Sequence, residues 1–164
     1  MKYIIDSFEK RIAENGLIPC FAGTEYWNFY EWKKGLSGGE RYTIENAPYE
    51  LPLNAIVSDA FSCFAKLCEL ASPELSAHYN ELHQCLNKHI HLAFYDNERN
   101  VYFTRLGDDK NSSLHVLTQA LALYADVVPN EHKKTVLENM LNKDMIPCTL
   151  SSSIYKYDAL LREG

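Results

Sequence analysis

The chain has 164 residues, 46% hydrophobic and 23% charged, which is the composition of an ordinary globular protein and the length of one domain with one core. Its formal net charge of −6, with no stripe of Lys and Arg, argues against nucleic acid or an anionic membrane as the main partner, because phosphate binding takes clustered cations. No apolar run approaches the roughly 18 residues of a membrane helix, and the start "MKYIIDSFEKR" does not read as an export signal, since Asp6, Glu9 and Lys10 interrupt its apolar stretch.

The first predicted element runs from about Tyr3 to Ala13, with Ile4, Ile5, Phe8 and Ile12 at helical spacing and Asn15-Gly16 as a stop signal. Leu17 to Leu51 reads as a long loop holding the segment "EYWNFYEWKKG", then Gly38-Gly39 and Pro48. Its aromatic cluster has room for one short helix. A helix follows from about Leu53 to Leu70. Its stripe of Ile56, Ala60, Phe64, Leu67 and Ala71 is widened by Val57, Phe61, Cys63 and Cys68, so it is expected to be buried on several sides. Ser72, Pro73 and Glu74 restart a helix that runs to about Ala93, with Leu75, Tyr79, Leu82, Leu86 and Ile90 on one face. The short link makes these two helices an antiparallel hairpin.

"AFYDNERNVYF" then reads as a small strand pair around the turn residues Asp96-Asn97 and Arg99-Asn100. After the polar "GDDKN", Ser112 or Ser113 is expected to cap a helix with Leu114, Leu117, Leu121 and Tyr124. A helix from about Glu131 to Leu141 turns Val136, Leu137 and Met140 inward. Pro147 breaks the chain, and one of Ser151 to Ser153 caps a last helix with Ile154, Tyr157, Leu160 and Leu161, ending at Gly164. The pattern is mainly α: sequential antiparallel helical hairpins, about six helices in all, with one small β-hairpin. Such repetition of apolar helix and short break suggests an α/α toroid or solenoid.

Five scattered cysteines, Cys20, Cys63, Cys68, Cys85 and Cys148, read as reduced thiols of a cytoplasmic protein. Cys63, Cys68 and Cys85 fall in apolar helical contexts, where a thiol packs as a small hydrophobe. There is no C-x-x-C pair, and no metal or other cofactor is expected. His78 and His83 are five apart and His89 and His91 two apart, neither a spacing that puts two ligands on one helix face.

Four stretches carry a resemblance. "YWNFYEW" resembles the "YWNFVDW"-type motif of the six-hairpin glycosidases, in particular α-L-rhamnosidases of glycoside hydrolase family 78. The stretch from Asn54 through "AFYDNERNVYFTR" is similar to the next hairpin of that family with its "FWDEERGLY"-like turn. "SSLHVLTQALALYADVVP" and "MIPCTLSSSIYKYDALLREG" are similar to its two following helices, in the same order.

The resemblance implies part of an (α/α)6 toroid that hydrolyses terminal α-L-rhamnosides with inversion, one carboxyl protonating the leaving oxygen and another activating water. In the family the acid precedes the aromatic motif and the base follows the last helix matched here; neither motif is found in this sequence. Twelve helices of about 11–12 residues with links of about 4–6 need roughly 190 residues at least. Residues 1–164 are therefore expected to form a single domain of about half a barrel, a fragment or truncated form without activity alone. The apolar faces left without neighbours predict a homo-oligomer.

The resemblance makes Trp27 and Trp32 the leading sugar contacts, with Glu31, Asn28 and His115 as polar partners. An aromatic face stacks on the apolar face of a sugar ring, and a neighbouring polar group fixes its orientation. The alternative is that these rings pack beneath the loop as its own core. The catalytic residues stay unknown. Asp96 is expected in a turn, Asp108-Asp109 in a solvated loop, and Asp59 is a charge inside a very apolar helix. The expected partner is a carbohydrate, with no nucleic acid and no membrane. The alternative function is a non-catalytic helical module that binds protein.

Overall fold

The computed structural model describes residues 2–38, 41–142 and 144–163. Gly39 and Gly164, expected in a loop and at a helix end, lie outside them. Among the described residues the elements are α1 (Lys2–Glu9), α2 (Leu51–Cys68), α3 (Pro73–Phe94), β1 (Tyr95–Asp96), β2 (Val101–Tyr102), α4 (Val116–Tyr124), α5 (Asn130–Asn142) and α6 (Ser153–Glu163). The aromatic segment forms turns and no helix.

The two longest helices start as their sequences dictate. Proline stands in the first turn of both α2 and α3, where its missing N–H costs nothing. Ser72 occupies the N-cap position of α3, although its hydroxyl makes no capping bond. α2 and α3 pack along their length as an antiparallel hairpin, and β1 pairs with β2 in antiparallel register, Tyr95 opposite Tyr102. Asp96 closes that turn by accepting the N–H groups of Glu98 (2.9 Å) and Arg99 (3.2 Å), and Asn100 takes the left-handed conformation the turn requires.

α4 is the centre of the layout. Every residue from Val116 to Leu123 is buried, because α2 packs on one side, α6 on the other and α5 behind. α2, α4 and α6 run the same way. Glu50, His115 and Ser152, which precede them, lie at one end, and Tyr124, the last residue of α4, meets Arg162 in the last turn of α6. The helix begins at Val116 with His115 at its N-cap, not at Ser112 or Ser113; the Ser112 hydroxyl instead accepts the Asp109 N–H at 3.0 Å.

Several expected faces turn over. On α2 the expected Val57, Phe61 and Cys68 are buried, together with Leu51, Pro52, Asn54, Ala55, Ser58 and Ala65, while Ile56, Cys63 and Leu67 face out. The reason is hydrogen bonding. Asn54 is fully buried because its amide pairs with both backbone groups of Ile18 (2.7 and 2.9 Å) and with the Glu50 carbonyl (2.9 Å). Ser58 is fully buried because it bonds Asn87 (2.6 Å) and lies within reach of His83, and the Asn87 amide in turn holds the Ala125 carbonyl at the end of α4 (2.8 Å). On α6, likewise, Ala159 is buried while Ile154, Tyr157 and Leu161 are exposed. Cys85 is exposed too, so of the three helical cysteines only Cys68 packs in the interior.

α1 stops at Glu9, four residues early, and a turn through Gly16 at positive φ carries the chain on. α2 also corrects the reading of apolar runs: at 18 residues and a mean hydropathy of 1.2 it is long and apolar enough to cross a membrane by length and composition, and half of it is buried inside this fold.

α3, by contrast, buries Tyr79, Leu86 and Ile90 as its periodicity predicts, and α5 buries Val136, Leu137 and Met140. Gln119 of α4 gives its amide to both backbone groups of Tyr102 (2.8 Å each), acting as one more rung on the edge of the hairpin.

Candidate functional site

Residues 20–38 and 41–50 form loop segments that lie over the N-terminal ends of α2, α4 and α6. Three ties hold them there. Near α6, the Glu31 carboxylate, 2% exposed, accepts the Thr149 hydroxyl at 2.8 Å and the Thr149 N–H. At α4, His115 Nε2–H donates to the Lys34 carbonyl at 2.9 Å. That carbonyl can only accept, so the proton sits on Nε2. Nδ1 then accepts from the Thr104 hydroxyl at 2.9 Å, which is itself 2.8 Å from Thr118. At α2, Glu50 is paired with Arg105 (Nη2 to Oε1, 2.9 Å; Nε to Oε1, 3.2 Å), and Arg105 also donates to the Tyr42 hydroxyl at 3.0 Å.

Glu50 is 3% exposed, and a carboxylate so buried needs partners for both oxygens. Arg105 takes one, and the Cys20 thiol donates to the other at 3.3 Å. Burial, and then the Glu50 charge, push the Cys20 thiol up to about 12, so it is a donor and not a nucleophile. The same two causes raise the Tyr30 phenol beside it.

On the outer side of the loop, Trp27, Phe29 and Trp32 form one cluster, with ring centroids 5.0, 5.5 and 4.7 Å apart. Trp27 is 53% exposed and Trp32 68% exposed. Their rings wall a cleft of about 610 Å³ with Thr24, Glu25 and Arg41. The Trp27 N–H donates to the Ser37 carbonyl at 2.9 Å, which fixes that ring. A second cleft of about 450 Å³ lies against His115 and is lined by Lys34, Thr104, Arg105, Asp108 and Asn111. Between them is a neck of about 70 Å³ bordered by Asn28, Gly35, Gly38, Tyr42, Glu50 and Arg105.

The residues expected to touch a sugar thus divide. Trp27 and Trp32 are each more than half exposed beside the aromatic cleft. His115 reaches the polar cleft, but it is 3% exposed and both its nitrogens are engaged. Asn28 borders the neck, with its amide spent on the two backbone groups of Phe21 (2.8 and 2.9 Å). Glu31 turns inward to Thr149. Of the aspartates, Asp108 accepts the Arg105 N–H at 2.9 Å at the edge of the polar cleft, and Asp59 lies far from the loop, its carboxyl raised by burial.

The histidines go to separate partners: His78 to Glu9 (3.0 Å), His83 to Ser58, His89 to the Cys85 carbonyl (2.8 Å) and His91 to Tyr102 (2.8 Å). Among the described residues no three His, Cys, Asp or Glu side chains converge on a metal position. Glu50, Arg105, Tyr42 and Thr104 were not legible as site residues. The one local signal was Glu50 standing directly before a proline-started helix, the position where a side chain looks out over a helix end.

The assembled site is a cluster of partly exposed aromatic rings beside a recess with hydroxyl, amide and charged groups, an arrangement suited to a polyhydroxylated ring. The sequence matches no family model and no curated protein. The structure superposes on solved proteins. One is the family 78 rhamnosidase of Bacillus sp. GL1 (TM-score 0.80, 18% identity, covering 98% of this chain and 16% of that one). A second is the rhamnosidase from Klebsiella oxytoca with rhamnose bound (TM-score 0.76, 16% identity, 99% of this chain and 29% of that one). A third is the α-L-rhamnosidase from Dictyoglumus thermophilum (TM-score 0.64, 16% identity, 99% and 17%). The chain spans less than a third of the length of each. It has the fold of a portion of the family 78 α-L-rhamnosidases, a run of hairpins from an (α/α)6 toroid with one small β-hairpin.

Proposed function

We propose that the chain is a single-domain portion of an α-L-rhamnosidase-like glycosidase and that it supplies a sugar-binding wall. The observation that carries this reading is the superposition of nearly the whole chain on rhamnosidases, one of them with rhamnose bound. Trp27 and Trp32 would stack on the sugar ring. Glu31 and Asn28 hold that wall from behind, and His115 fixes the floor of the neighbouring cleft. In the complete barrel the reaction would be inverting hydrolysis, which takes two carboxyl groups roughly 6.5–9.5 Å apart with a water between. The carboxylate closest to the neck, Glu50, is fully occupied by Arg105 and Cys20 and is not suited to either part, so the chain alone would bind and not cleave. Its free thiols fit a reducing, cytoplasmic setting.

Exposed apolar stripes on α2 (Ile56, Leu67) and α6 (Ile154, Tyr157, Leu161) favour self-association, and they also favour the second reading, a helical module that binds another protein. Titration with L-rhamnose while tryptophan emission is followed tests the first reading. A saturable change that is lost in Trp32→Ala is expected. No change at saturating sugar, with a protein partner altering emission instead, would favour the second.

A further inference from the structure

We propose that a separate pocket, where the chain leaving α1 meets the loop, binds a small organic carboxylate, with Arg11 taking the charge and the walls covering an apolar ring. Neither Trp27 nor Trp32 lines it, so the proposal stands or falls apart from the sugar reading. The pocket measures about 380 Å³, within the roughly 300–1,000 Å³ of ligand sites and toward the small end. Pro19, Ala22, Tyr26, Ile44 and Ala47 give it apolar walls, and no carboxylate is among the described residues that line it. Cys20 lines it too, but its thiol is neutral and committed to Glu50 at 3.3 Å.

Arg11 is the one charged side chain there, and the protein leaves it under-satisfied. A guanidinium carries its N–H donors in a planar fork and can accept nothing. The hydrogen bonds Arg11 makes both come from Nη2 and both are long, 3.3 Å to the Pro19 carbonyl and 3.4 Å to the Cys20 carbonyl. Nε is buried without a partner. Nη1 is not closed off from solvent and bonds nothing among the described residues, and none of their carboxylates pairs with Arg11. The group is nevertheless held in place, because its Cζ sits 4.2 Å over the centre of the Phe21 ring. One face is thus covered and an edge is left for a ligand. A carboxylate is the group that fits such an edge, accepting parallel charge-assisted N–H bonds. An inorganic anion would leave the apolar walls wet, and a neutral apolar molecule would leave the cation unpaired. An acid carried on an apolar ring satisfies both.

The test titrates the isotope-labelled full chain with phenylacetate, its neutral isostere phenylacetamide and acetate, following the Arg11 Nε–H signal by nuclear magnetic resonance. Phenylacetate is expected to move that signal saturably, and the amide and acetate are each expected to bind about tenfold more weakly or less tightly still. Arg11→Met keeps an unbranched stem against Phe21 and should bring phenylacetate, followed by calorimetry, down to the affinity of the amide. Ile44→Glu changes a side chain that is 87% exposed, so the fold should stand. It puts a competing carboxylate on the wall and should weaken phenylacetate about tenfold. An Arg11 signal unmoved at millimolar phenylacetate would overturn the site. Acid and amide binding equally would overturn the part given to Arg11, and acetate binding as tightly as phenylacetate would overturn the part given to the walls. Undiminished phenylacetate affinity in Ile44→Glu would overturn the placement of the ligand in this pocket.

Discussion

Glu31 and Trp32 are neighbours in sequence and opposites in environment. The carboxylate is 2% exposed and tied to Thr149, 118 residues away, while the adjoining indole is 68% exposed. The tie sets the angle at which the wall stands. Glu31→Ala should loosen Trp32, seen as a red-shifted, more quenchable emission in a protein with unchanged helicity. Glu31→Gln keeps an oxygen acceptor of the same reach and should restore the wild-type spectrum. Glu31→Asp, the residue of the motif it resembles, is one methylene short and should behave like alanine. An unchanged Trp32 environment in Glu31→Ala would contradict the tie.

The sequence left Trp27 and Trp32 either facing out or packed beneath the loop, and both are more than half exposed. The inward turn of Glu31 was not legible, because its partner lies at the other end of the chain. The same holds for Glu50 and Arg105, 55 residues apart. Asn54 shows what such long-range bonds contribute to stability. It is fully buried and satisfies both backbone groups of Ile18, so Asn54→Ala leaves several buried polar groups unpaired and should cost about 3 kcal/mol in denaturant unfolding.

Among the elements, α3 and α5 were readable and α2 and α6 only in extent. α3 has one clear apolar face, and its inward residues follow from spacing alone. α2 is apolar nearly all round, so periodicity could not choose a face; the buried hydrogen bonds of Asn54 and Ser58 chose it. The end of α3, the hairpin and the start of α5 meet in a cluster of four rings. His91 stacks on Tyr95 (4.8 Å) and His132 (5.9 Å) and bonds the Tyr102 hydroxyl. Burial and then the neighbouring His132 lower the affinity of His91 for a proton below the ordinary 6.5, against a weaker opposing pull from Glu131.

The unfolded chain therefore binds that proton more readily than the folded one. Stability from this cluster is present above about pH 6.5 and lost as pH falls through that value toward the lowered folded pKa. Melting temperature should drop between about pH 7.5 and about pH 5.5, and His132→Gln should make the drop shallower. A flat profile in the wild type would contradict the coupling.

At the scale of the whole molecule, the toroid-like order of hairpins was legible from the alternation of apolar helix and short break together with the resemblance, and the placement of the loop over three helix ends was not. Among the described residues, 20–38 and 41–50 hold no helix, and long-range ties such as those to Arg105, His115 and Thr149 locate them. The apolar stripes on α2 and α6 are a property of the molecule as a whole, surfaces without a neighbour. Sedimentation at micromolar concentration should show a dimer or larger species. Leu67→Glu with Leu161→Glu should release a monomer while changing stability by no more than about 0.5 kcal/mol, since both side chains are exposed. A wild-type monomer would contradict the assignment of those faces to self-association.

Whether the aromatic wall is a sugar-binding surface is decided by a crystal of the full chain soaked in L-rhamnose. Electron density is expected for one sugar ring lying against Trp32 within van der Waals contact, next to Trp27, and none in the same soak of Trp32→Ala. Density for rhamnose elsewhere on the chain, with the Trp27 and Trp32 faces bare, would contradict that role.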